Sequence, residues 1–108
     1  MSVNRSTLIL KEKLVRQNGL VREAVIWKVP ESDKYPEGVR YRLALVNSFT
    51  GKVLVLFDNH FPKGHHKHLH GEESPYRFST ASDLVDDFLS TCEKEEAKYE
   101  SNANPNKS

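Results

Sequence analysis

With 108 residues, 37% of them hydrophobic and 29% charged, the chain is long enough for one domain with a modest core. No apolar run approaches the ~20 residues that cross a bilayer, Met1–Thr7 is too polar for a signal peptide, and Cys92, having no second cysteine, cannot close an internal disulfide. A cytoplasmic protein that does not enter a membrane is therefore expected. The net charge of +1 hides an asymmetry: residues 1–71 carry 12 Lys/Arg against 6 Asp/Glu, and residues 72–108 carry 4 against 9. A basic body with an acidic C-terminal segment fits a phosphate-rich partner. It fits equally well a set of solvated strand exteriors and a solvated helix face.

The first two elements read as a β-hairpin. Leu8, Leu10 and Leu14 share one parity, Ile9 and Val15 the other, and Asn18-Gly19 supplies the two positive-φ residues of a type I′ turn. The returning strand is Leu20–Val29. Its Val21, Val25, Trp27 and Val29 fall on one face, which assigns Trp27 to the core rather than to a base-stacking platform, and Pro30 ends it. Glu31–Gly38 is a loop. Val39, Tyr41, Leu43 and Leu45 then alternate with Arg40, Arg42, Ala44 and Val46, which makes a half-buried strand with two arginines on its exposed face. After the turn Asn47–Gly51, the nearly continuous apolar run Lys52–Phe57 predicts a central strand covered on both faces. Ser74–Phe78 is a short last strand. Thr80 caps a helix with Asp83 in its first turn, and Leu84, Val85, Phe88, Leu89 and Cys92 form one apolar stripe continued by the charged segment Glu93–Glu100. These elements predict an α+β fold: an antiparallel meander of four to five strands covered by a C-terminal helix, one domain over 1–100, and a disordered polar tail over 101–108.

All five histidines, His60, His65, His66, His68 and His70, lie within eleven consecutive residues. Histidine changes charge near neutral pH and is the commonest metal ligand, so the cluster has three readings. In the first, an extended His66–His70 puts His66, His68 and His70 on one face, where they converge on an ion with Glu72 or Asp58 completing the set, although no Cys/His pattern of a structural zinc site is present. In the second, His66 and His68 act as base and acid in metal-independent RNA cleavage. Lys67, Lys63, Arg42 and Arg77 are then candidate cations and Tyr76 a hydrogen-bond donor. In the third, the segment is a solvated polar loop. No Gly-rich phosphate loop, CxxC pair, Gly-x-Ser-x-Gly elbow or His-Glu-x-x-His motif occurs.

Several stretches taken together carry a family likeness: Leu8-Ile-Leu-Lys-Glu-Lys13, Val25-Ile-Trp27, Tyr41-Arg-Leu43, Phe57-Asp-Asn-His60, His65-His-Lys-His68, Pro75-Tyr-Arg-Phe78 and the closing amphipathic helix. On these residues, which span roughly 7 to 92, the chain resembles the TumE family of toxins of toxin–antitoxin pairs. The Asp-Asn and His-His-Lys-His segments are the specific part. In the family the histidine run often holds fewer histidines, which makes His70 peripheral. The resemblance implies a growth-inhibiting toxin neutralised by a cognate antitoxin, often a helix-turn-helix protein. Ribonuclease activity follows only by analogy with other small β-rich toxins.

The resulting expectation is a metal-independent ribonuclease toxin with no cofactor and no metal. His66, His68 and Asp58 are its catalytic candidates. Lys67, Arg42, Arg77, Tyr76, His60 and His65 are the candidates for binding RNA, and Asp58 has the alternative role of holding the loop through its backbone. The rival expectation is a metal-binding or protein-interaction module without catalysis. The acidic helix over 83–100 fits two uses, masking the basic face in a homodimer or binding a basic antitoxin segment, and the sequence does not choose between them.

Overall fold

The computed structural model describes residues 5–103, with side chains as far as Tyr99. Its elements in chain order are β1 (Thr7–Val15), β2 (Leu20–Lys28), β3 (Val39–Asn47), β4 (Lys52–Asp58), β5 (His66–Leu69), β6 (Glu72–Pro75) and α1 (Ala81–Ala103). The strands form one sheet in the order β1-β2-β3-β4-β5-β6, every neighbouring pair antiparallel. The α+β meander with a C-terminal helix is as expected, but the sheet has six strands. The extra one is β5, which lies inside the histidine run, and the last strand falls at Glu72–Pro75 instead of Ser74–Phe78. Helix α1 continues to Ala103, into the segment expected to be a tail, and residues 104–108 lie outside the described residues.

The core lies between one face of the sheet and α1. Leu20, Ala24 and Ile26 of β2, Tyr41, Leu43 and Leu45 of β3, and Val55 and Phe57 of β4 meet Leu84, Phe88 and Cys92 of the helix. Burying a side chain the size of Phe57 or Phe88 contributes about 2–3 kcal/mol. The helix starts as its sequence predicts: the Asp83 N–H donates to Thr80 Oγ1 at 3.0 Å. Its far half is tied down by polar contacts. Arg22 donates twice to Glu96, at 2.7 and 2.9 Å; Arg16 Nε lies 3.2 Å from the same carboxylate; and Asn47 Nδ2 donates to Tyr99 OH.

Three expectations change. The core face of β2 is the Leu20-Arg22-Ala24-Ile26 parity, so Val25 and Trp27 point to the opposite face, half buried. Counting apolar residues favoured the wrong parity because Arg22 sits on the helix side, its charge met by Glu96. Strand β4 is central but helix-covered on one face only, which leaves Leu56 half buried on the other. The turn between β1 and β2 is not type I′, since Gly19 alone in it has positive φ, at 90°. Arg16–Gly19 is closed by Gly19 N–H donating to Arg16 O at 3.1 Å, the three-residue hairpin in which a turn is followed by a left-handed glycine. The type I′ pattern belongs instead to His70-Gly71, with φ of 52° and 83°, the two-residue loop that joins β5 to β6. At the other end of the sheet, β1 pairs with β2 alone and carries a bulge between Leu8 and Leu10.

Candidate functional site

Strand register assembles a polar row on the face away from the helix. Val25 pairs with Arg42, Arg42 with Asp58, Asp58 with His66, and His66 with Pro75. Directly opposed residues in antiparallel strands share a face with Cα atoms about 4.5–5.5 Å apart. Arg42, Asp58 and His66 are therefore consecutive neighbours across three strands. The next row is Glu23, Ala44, Leu56, His68 and Glu73, so His68 stands beside His66 on the same face, two residues along β5. Above Arg42, a cleft of about 210 Å³ is lined by Trp27, Arg40, Tyr41, Arg42, Asp58 and His60.

Hydrogen bonding fixes the chemistry of His66. Its Nδ1 lies 2.7 Å from Gly64 O, and a carbonyl only accepts, so Nδ1 carries the proton and donates. In the neutral ring the lone pair is then on Nε2, which is free to accept a proton or bind a metal. His66 as a residue is buried, at 7% exposure. The His68 ring meets it edge-on at a centroid distance of 5.1 Å, and His68 Nε2 is 3.8 Å from Glu73 Oε1. Lys63 Nζ donates to the same Glu73 oxygen at 2.7 Å, and this hydrogen bond is the main reason its carboxyl is held below the usual carboxylate range. His66, His68 and Glu73 each offer one ligand atom within 4.8 Å of the other two.

The remaining candidates are dispersed. Asp58 Oδ1 accepts the His60 backbone N–H at 2.5 Å, so Asp58 closes the loop after β4. His60 is exposed at the cleft. His65 lies under the loops. Its Nε2 donates to Glu37 Oε1 at 3.0 Å, which leaves Nδ1 to accept from Tyr41 OH at 2.8 Å, and its ring stacks on Phe78 at 4.9 Å. Burial raises the Tyr41 phenol well above its ordinary value. Lys67 pairs with Phe57 and so lies on the helix face, where it lines a separate cavity of about 510 Å³ with Lys94 and Lys98. Tyr76 is also on that side: its OH donates to Asp87 at 2.6 Å, and burial, then this bond, raise its pKa. Arg77 is exposed beyond β6. His70 leaves the row altogether, since the turn sends its Nε2 to Glu95 Oε1 at 2.5 Å. The metal grouping therefore takes Glu73 in place of His70, Glu72 or Asp58.

Sequence reasoning missed Glu73, Glu37 and the place of Trp27 in the cleft. Glu73 had a readable signal. A two-residue His70-Gly71 turn sets Leu69 opposite Glu72, and therefore His68 opposite Glu73.

No described helix is long and apolar enough to cross a membrane. Among known protein families, residues 5–96 match the model of one described as Toxin TumE. No curated protein and no solved structure matches the chain.

Proposed function

From the premise that this chain belongs to the TumE toxin family, which implies an antitoxin partner, we propose that it is a cytoplasmic type II toxin that cleaves RNA without a metal, on the face of the sheet opposite the helix. The observation that carries this reading is the adjacency of Arg42, Asp58 and His66 in one cross-strand row, with His68 beside His66. His66 Nε2 takes the proton of a ribose 2′-hydroxyl, and the 2′-oxygen attacks the adjacent phosphorus. His68 delivers a proton to the departing 5′-oxygen, which leaves a 2′,3′-cyclic phosphate and a 5′-hydroxyl. Arg42 and Arg40 neutralise the phosphate charge, Trp27 offers a face to a neighbouring base, and His60 borders the same cleft. Asp58 holds the loop that frames the site. Lys67 and Tyr76, on the helix side, stand outside it, as does the network of His65, Tyr41 and Glu37. The acidic exterior of α1, with Asp83, Asp86, Asp87 and Glu93, suits a basic segment of a helix-turn-helix antitoxin.

The test is RNA cleavage by the purified protein together with growth on expression without antitoxin. Replacing His66→Ala and His68→Ala together is expected to lower cleavage by about 10²-fold or more and to relieve growth arrest. Parent-like cleavage by the double variant would overturn the assignment.

A further inference from the structure

We propose that His66, His68 and Glu73 form a binding site for a divalent transition-metal ion of the zinc class, and that its occupancy switches off the sheet face on which RNA is read. The three ligand atoms already lie within 4.8 Å of one another. Around a tetrahedral ion at ~2.0–2.1 Å, ligand atoms stand about 3.3 Å apart. Small side-chain rotations close that gap, because His68 and Glu73 face each other across β5 and β6 and the two imidazoles are two residues apart on one strand face. The ligand types select the ion: two imidazoles and a carboxylate suit zinc, nickel or copper, whereas magnesium and calcium take oxygen sets.

The surroundings of His66 support the same assignment. Ligating histidines usually donate their second ring N–H to a carbonyl or carboxylate, which orients the ring and raises its basicity. His66 Nδ1 makes that bond to Gly64 O, leaving Nε2 as the ligand atom. The hydrogen bond that holds Glu73 comes from Lys63, whose side chain is 58% exposed, and exposed ion pairs of this kind contribute little, so an incoming ion displaces Lys63 easily. Three protein ligands leave the fourth position to water.

Metal binding goes beyond the ribonuclease reading and does not depend on it, whereas the inhibitory consequence rests on that reading. An ion on His66 and His68 occupies the two nitrogens that would otherwise move protons. Free ions of this class would thus set the fraction of toxin able to act.

The experiment uses tag-free full-length protein, titrated with cobalt(II) as a visible-spectrum probe and with zinc by calorimetry. One ion per chain is expected, with a low-symmetry cobalt spectrum. Glu73→Gln keeps all five histidines and sits on an exposed hairpin, so it is expected to fold normally. Removing a direct ligand should weaken binding by at least the ~10–100-fold typical of outer-shell changes. Cleavage by the same variant should resist zinc at concentrations that inhibit the parent, each protein measured against its own zinc-free rate. Equal binding by parent and Glu73→Gln, which would mark adventitious chelation by histidines, overturns the site, as does an absence of binding by the parent. Binding that depends on Glu73 in a protein that cleaves no RNA upholds the site and overturns only the ribonuclease reading.

Discussion

At the scale of the residue, Gly19 shows how much one position sets. Its φ of 90° lies where a side chain is strained, and an added Cβ would fall 2.5 Å from the Phe49 ring. Phe49 is 75% exposed and can swing aside, so the backbone term dominates. Gly19→Ala is expected to lower stability by about 1–2 kcal/mol, read as a lower midpoint in urea unfolding. Cys92 is fully buried, and burial pushes its thiol up to about 12, so it remains a protonated packing group without nucleophilic character. Residues of this kind mark the limit of sequence reading. Asn-Gly announced a turn correctly, but which residues in it take positive φ depended on the strands it joins. Arg22 faces the helix because its partner is Glu96, 74 residues away, a pairing no local pattern shows.

At the scale of the element, α1 is held at both ends by different physics. Its first half packs Leu84 and Phe88 on the sheet, and its second half relies on charged contacts at Glu95 and Glu96. Burial alone would raise the Glu95 carboxyl, but hydrogen bonds from His70 and Lys98 outweigh it and hold it below its ordinary value. A carboxyl depressed in the folded state contributes stability that is fully present above its unfolded value. That contribution is lost as pH falls through the lowered folded value. Unfolding midpoints measured against pH are therefore expected to fall from near pH 4.5 downward, and Glu95→Gln should flatten that decline. Most elements were legible from period and capping alone: the alternation of β3 and the Thr80 cap sit where the pattern put them. Strand β5 was not, because three polar residues, His66, Lys67 and His68, followed by one apolar Leu69, have no apolar alternation to read. Its position is set by β4 on one side and the His70-Gly71 turn on the other.

At the scale of the whole molecule, the helix makes the two faces of one sheet unequal. One side is sealed by α1. The other presents Arg40 and Arg42 beside Trp27, with Lys11 across from Val25. If RNA lies there, affinity should fall with salt, and each phosphate contact on a single strand contributes a slope of about 0.7 in log K against log salt. Replacing Arg40 and Arg42 with Gln is expected to reduce the slope by about 1.4, measured by fluorescence anisotropy with a labelled oligonucleotide. An unchanged slope would place the RNA elsewhere. The sequence held the ingredients of this face but not their sorting. Five clustered histidines looked like one feature, yet strand parity and turns sent His66 and His68 to the open face, His65 under the loops and His70 to the helix. Strand β1 closes the sheet with no strand beyond it among the described residues, and Leu8, Ile9, Leu14 and Val15 are exposed along it. Such a border is an invitation to runaway stacking of one molecule's sheet onto the next. The irregularity between Leu8 and Leu10 interrupts its hydrogen-bonding edge, and Lys11 and Lys13 set like charges where a second β1 would dock. The strand thus discourages edge-to-edge aggregation.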